Sequence, residues 1–186
     1  LALKSTIFKA NLAIADIDHA YYADEALTLA RHPSETDERM MIRLAALALN
    51  AHKLQTVCNG DANWTFGAGL SNPDDPDVVL RDYTGQARAW IEVGQPEDKP
   101  IAKACGRADE VILYCFHHAA EVWWRGIENK LARLSNLSVY RIPTAASQAL
   151  AALAQRSMQL QATVQEGTLM FSNGSGSVDI EPLRWK

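Results

Sequence analysis

Apolar and polar positions alternate with a period close to two over residues 2–15 and again over 20–31, with β-branched and aromatic residues in Ser5-Thr-Ile-Phe8 and Ala26-Leu-Thr-Leu29. This patterning predicts two strands, and the acidic Asp16-Ile-Asp18 stretch between them reads as the turn of an antiparallel hairpin. The period then changes. Met40, Met41, Leu44, Leu47, Ala48 and Ala51 recur at helical spacing and predict a long helix over 34–57. Ser34, followed three residues later by Asp37, forms a near capping box at its start. Residues 59–76, rich in Gly, Asn, Asp and Pro, predict a loop. Short strands follow at 77–82 and 86–94, hinged at Thr84-Gly85. Beyond them the pattern predicts a helix over 97–108, a strand over 110–116, and a helix over 118–134 with Val122, Trp123, Ile127 and Leu131 inward. A strand at 137–140, an alanine-rich helix near 144–154 and strands at 158–164, 168–171 and 178–180 complete the chain, with a turn at Glu166-Gly167. This order predicts an α/β fold, a mixed β-sheet flanked by helices, in one domain spanning 1–186.

Composition narrows the class. The 186 residues are 48% hydrophobic and 22% charged, which fits a globular protein and excludes disorder. The sequence has no apolar stretch of ~20 residues to span a membrane, and its first ten residues lack the continuous apolar run of a signal peptide. Three cysteines, Cys58, Cys105 and Cys115, are an odd number without CxxC spacing, so neither a disulfide framework nor a zinc ribbon is expected. A reducing, cytoplasmic setting fits best. With 18 basic and 22 acidic side chains the net charge is −4, which argues against non-specific coating of nucleic acid but leaves local phosphate contacts open.

The acidic residues carry the chemistry. Asp74 and Asp75 precede the strand opened by Pro76-Asp77, and Glu92 interrupts the apolar run Ala87-Arg-Ala-Trp-Ile-Glu-Val93. Opposite residues on antiparallel strands lie ~5 Å apart, which would let Asp75 or Asp77 share a divalent cation with Glu92. Magnesium suits one or two carboxylates with water and substrate phosphate, and such an ion acidifies an attacking water. The same aspartates also suit a turn, with Glu92 facing solvent. Glu35 and Glu38 lie three apart on one helix face near the positive end of the dipole. Capping uses only one or two of the acids there, leaving Glu38 available. Lys99, Lys103 and Arg107 form a basic stripe opposite Ile101, Ala104, Cys105 and Ala108; it reads as a solvated face, a phosphate contact or the source of a catalytic lysine. His117 and His118, ~100° apart on a helix, are poorly placed for a joint metal site. Trp123 and Trp124 read as one core and one boundary aromatic.

The run Leu29-Ala-Arg-His-Pro-Ser-Glu-Thr-Asp-Glu-Arg-Met-Met41 resembles the YaeQ family of bacterial proteins. So do Trp90-Ile-Glu-Val-Gly94, Lys103-Ala-Cys105, the Trp123-Trp124 helix and Leu160-Gln-Ala-Thr-Val-Gln-Glu-Gly167, and the likeness runs along essentially the whole chain. The resemblance implies a fold related to the PD-(D/E)XK nucleases, here with an N-terminal β-hairpin and C-terminal strands. In that superfamily a helix acid, a strand-opening Asp and a Glu on the next strand bind Mg²⁺ (or Mn²⁺), and a lysine two residues beyond the Glu activates water. Carried over, Glu38 or Glu35 is the helix acid, Asp77 or Asp75 the first strand ligand, and Glu92 the second. The lysine position is Gly94, so the resemblance leaves Lys103 from the neighbouring helix, or Gln95, to take the catalytic role. Two functions follow as expectations. One is Mg²⁺-dependent phosphodiester hydrolysis on DNA or RNA. The other is a degraded binding module of the same fold, with a protein or nucleic-acid partner and a link to transcription.

Overall fold

The computed structural model describes residues 4–68, 70 and 72–186; the parts of the expected first strand and long loop that fall on 2–3, 69 and 71 lie outside them. Eleven strands and five helices follow one another among the described residues: β1 (Thr6–Asp16), β2 (Tyr21–Arg31), α1 (Asp37–Asn50), α2 (Lys53–Thr56), β3 (Ala62–Phe66), β4 (Val78–Asp82), β5 (Ala87–Val93), α3 (Asp98–Cys105), β6 (Val111–Cys115), α4 (Ala120–Leu131), β7 (Leu137–Arg141), α5 (Thr144–Ala151), β8 (Ser157–Gln165), β9 (Thr168–Ser172), β10 (Ser177–Ile180) and β11 (Leu183–Arg184).

The strands form two mixed sheets where the sequence led us to expect one. The first runs β10-β9-β8-β1-β2 and the second β11-β7-β6-β5-β4-β3. In the first, β1 and β2 form the expected hairpin, while β1 and β8 pair in parallel so that Ala10, Leu12 and Ile14 stand beside Met158, Leu160 and Ala162. These residues face inward and their neighbours face solvent, as period-two patterning requires. In the second sheet β5, β6 and β7 are parallel, joined by crossovers through α3 and α4. The central strand β6 is buried at every residue, because a parallel sheet is covered on both faces.

Helix α1 lies between the sheets. Its residues from Met40 to Ala48 are all buried, and they share one core with Leu12, Ile14 and Phe171 of the first sheet and Val78, Ile91 and Ile112 of the second. A helix enclosed on all sides is normally apolar throughout; this one carries Arg43 with no exposed surface. A second core lies on the far face of the six-stranded sheet, under α3 and α4.

Four local expectations are corrected. The long helix is two, because a turn at Ala51–His52 separates α1 from α2. Its N-cap is Thr36, whose hydroxyl accepts from the Arg39 N–H at 3.1 Å, and not Ser34. The 59–76 segment contains β3. Val122 is 74% exposed, since nine residues at ~100° each put it opposite the buried Leu131.

Candidate functional site

The start of β4 and the end of β5 meet at one end of the six-stranded sheet. The Asp77 N–H donates to the Ile91 carbonyl at 3.0 Å, and Val78 pairs with Ile91, so Asp77 lies across from Glu92. The chain leaving β3 closes over this point. The Gly67 N–H donates to the Asp77 carbonyl at 3.1 Å, and a Cβ on Gly67 would stand 1.9 Å from the Pro76 carbonyl oxygen. Only glycine permits that approach.

Asp77 is buried and both its oxygens are engaged: Oδ1 accepts from Arg39 Nη2 at 2.7 Å and Oδ2 from the Val93 N–H at 2.8 Å. Arg39 Nη2 also donates to the Val93 carbonyl at 3.0 Å, and its Nη1 to Glu35 Oε2 at 2.5 Å. Glu35, itself buried, takes a second ion pair from Arg43, which also donates to the Ala30 carbonyl at 3.1 Å. Burial alone would lower the pKa of Arg39, but Asp77 and Glu35 outweigh it and raise the pKa, so the guanidinium stays charged. Residues 35, 39 and 43 repeat every four positions, so this ladder runs along one face of the chain entering α1.

Neither arginine forms an ion pair with Glu92. Its carboxyl accepts from Trp90 Nε1 at 2.7 Å and stands beside Asp77. Burial first, then the negative charge of Asp77, push its pKa up to about 8, against the opposing effects of the Trp90 bond and Arg39. Near pH 7 Glu92 therefore keeps its proton beside Asp77.

The other residues singled out from the sequence have other partners or face solvent. Glu38 accepts from Ser147 Oγ of α5 at 3.0 Å. Asp75 is exposed. Lys103 pairs with Asp74 at 2.7 Å, both side chains about half exposed. Gln95 Oε1 accepts from the His117 N–H at 3.1 Å. Gly94, at the position of the expected lysine, has φ +116°, a conformation that penalises any side chain.

A second cluster sits beyond the other end of α1, ~20 Å along the helix from Arg39. Asp16 ends β1 with no exposed surface, His19 follows in the β1–β2 turn, and His52 lies in the turn after α1. His19 Nδ1 is 2.9 Å and His52 Nδ1 3.2 Å from the same Asp16 Oδ2, and the two rings stack with centroids 3.5 Å apart. Burial, then His19, push the pKa of His52 down to about 4.

Comparison with known proteins places this arrangement. Residues 1–182 match the family model described as YaeQ protein. The chain belongs to the YaeQ family. It is 40% identical over 187 residues to the YaeQ protein of Salmonella typhi and 38% identical to that of Escherichia coli (strain K12), covering all of this chain and 98% of each relative. The crystal structure of YaeQ from Xanthomonas axonopodis pv. citri superposes with a TM-score of 0.89 at 42% identity, covering 98% of both chains. That of YaeQ from Pseudomonas syringae gives 0.88 at 28% identity, covering 98% of this chain and 96% of the other. The YaeQ fold is thus the two-sheet arrangement described above. Among the described residues, no helix is long and apolar enough to cross a membrane. Inspection of the sequence singled out neither the two arginines of this YaeQ chain nor Asp16, His19 and His52. Basic residues on a helix read as solvated, and a contact between positions 19 and 52 leaves no local signal.

Proposed function

We propose that Asp77 and Glu92 hold a magnesium-class divalent cation in a site for phosphodiester hydrolysis, on a fold related to the PD-(D/E)XK nucleases. The observation that carries this reading is the facing pair itself: two largely buried carboxyls on adjacent strands, the second without a cation of its own. The donor set fits such an ion, which is held by one or two carboxylates together with water and substrate phosphate. Open space surrounds the point where a Cβ on Gly94 would stand, beside the pair. When bound, the ion supplies a more acidic water and a counter-charge for phosphoryl oxygens.

The chain's own residues have separate tasks. Asp77 and Glu92 would hold the ion, with Glu92 releasing its proton to solvent. Arg39 holds Asp77 in place and would offer a permanent positive charge to a phosphate bound there; Glu35, itself paired with Arg43, anchors Arg39. Lys103 and Gln95, engaged with Asp74 and the His117 backbone, would have to change partners to assist. A second reading, a non-catalytic module for a nucleic-acid or protein partner, is favoured by one observation: Arg39 already occupies one oxygen of Asp77.

Incubation of the full chain with single- and double-stranded DNA and RNA in Mg²⁺ or Mn²⁺, beside Glu92→Gln, separates the two. Hydrolysis that needs metal and falls at least ~100-fold in the variant is expected. Calorimetric metal binding with no cleavage of any of the four substrates would favour the binding module, and no metal binding would overturn the metal site.

A further inference from the structure

We propose that Asp16, His19 and His52 form a second, independent metal site, which takes a zinc-class divalent transition ion and leaves one coordination position open to the neighbouring cavity. Two imidazoles and a carboxylate are an intermediate donor set suited to zinc, and three protein ligands with a free fourth position are the pattern of zinc sites that bind or activate a small molecule. One donor atom from each residue lies within 4.8 Å of the other two. Tetrahedral zinc with bonds of ~2.0–2.1 Å places its ligand atoms ~3.3 Å apart, and the two imidazole nitrogens stand 2.9 and 3.2 Å from Asp16 Oδ2.

His52 supplies the second observation. Its Nδ1 is buried and makes no hydrogen bond, although Asp16 Oδ2 is near, because the two are not aligned for one. A buried polar atom without a partner is uncommon and calls for an explanation, of which a bound ion is one. The ring stack means that one imidazole must tilt before both nitrogens can face one ion. His19 has room to do so, its side chain being 41% exposed on the turn while Asp16 and His52 are buried, and its Nδ1, bonded to the Asp16 oxygens at 3.0 and 2.9 Å, would exchange those bonds for the ion.

The frame around the cluster is held on three sides. The His19 N–H donates to Asp16 Oδ1 at 3.0 Å, and the Ile17 N–H to the Val164 carbonyl at 2.8 Å. Asp18 accepts from the Glu166 and Gly167 N–H groups at 2.7 and 2.9 Å, tying the β1–β2 turn to the β8–β9 turn. Beside the histidines lies a cavity of about 350 Å³, lined also by Asn50, Lys53, Glu110, Tyr114 and Tyr140. It is large enough for a small ligand and offers hydrogen-bonding groups of both signs to orient one.

Cobalt(II) titration of the chelator-treated full chain, read by visible d–d absorption and reversed with Zn²⁺, tests this site. We expect one equivalent of Co²⁺ in a low-symmetry, strongly absorbing environment, displaced by Zn²⁺. His19→Ala, which removes an exposed side chain, should weaken binding at least ~100-fold and abolish the rise in melting temperature that Zn²⁺ gives the parent. Glu92→Gln and the His117→Ala/His118→Ala double variant should both keep the band, which separates this site from the carboxylate pair and from adventitious binding at the exposed histidines. No saturable band in the parent, an undiminished band in His19→Ala, or loss of the band only in the His117/His118 variant would each overturn the proposal.

Discussion

Glu92 enters the fold as a neutral acid, and that has a consequence for stability. Its folded pKa of about 8 lies above the ordinary glutamate value of 4.5. Below pH 4.5 both folded and unfolded chains carry the proton, and Glu92 costs nothing. Between 4.5 and 8 the unfolded chain releases it while the folded chain keeps it, so stability falls as pH rises, and the cost levels off above 8. In metal-free protein we therefore expect the stability of the parent to fall, relative to Glu92→Gln, between pH 5 and 8.5, measured by urea denaturation in the presence of a chelator. Equal pH profiles would show that Glu92 is charged in the fold. Arg43 makes the complementary case. It is wholly buried against Glu35, which also has no exposed side-chain surface, and truncating it leaves Glu35 Oε1 buried without its partner while Arg39 still holds Oε2. Arg43→Ala should cost ~3–5 kcal/mol, while replacing both Glu35 and Arg43 by methionine should recover much of the loss. Denaturant midpoints of the single and double variants check this.

At the scale of elements, the start of α1 and the end of β3 position the carboxylate pair. Thr36 caps α1, so Thr36→Ala should lower stability by ~1 kcal/mol while Ser34→Ala changes little. Gly67 lets the strand exit pass over Pro76. A Gly67→Ala methyl would press on backbone, and we expect a loss of ~2–4 kcal/mol together with weakened metal binding as Asp77 shifts. The elements themselves were largely legible in the sequence. Met40, Met41, Leu44, Leu47 and Ala48 marked the buried helix, and the alternation in β1 and β8 marked the strands that now stand in register. β3 was missed because Ala62-Asn-Trp-Thr-Phe66, although apolar and polar residues alternate in it, is only five residues long and is flanked by turn formers. Glu92 stood out because acids rarely interrupt apolar strand runs, and Asp77, with Asp75 as its alternative, because Pro76-Asp77 opens the neighbouring strand. Arg39 and Arg43 did not. Arg43 is buried, and Arg39 largely covered, only because α1 lies between two sheets, and the periodicity of one helix cannot show what covers its other side.

Over the whole molecule, the two sheets share a single core through α1, with Leu12 and Phe171 on one side and Ile91 and Ile112 on the other. Neither sheet keeps its inner face dry without the other, so far- and near-ultraviolet circular dichroism should report one coincident unfolding transition. Separate midpoints would mean that the sheets unfold independently. The shared core also sets the distance between the two proposed metal sites, which lie beyond opposite ends of α1 and differ in donor chemistry: carboxylates at one, imidazoles with one carboxylate at the other. The same two-sheet fold extends to the YaeQ structures from Xanthomonas axonopodis pv. citri and Pseudomonas syringae, whose TM-scores of 0.89 and 0.88 cover nearly the full length of the chain. The central claim is that the Asp77–Glu92 pair is a divalent-cation site, and manganese anomalous scattering from crystals soaked in Mn²⁺ tests it most directly. The account predicts an anomalous peak bridging the Asp77 and Glu92 carboxylates. Crystals saturated with Mn²⁺ that show no peak there, with Arg39 still bonded to Asp77, would contradict it.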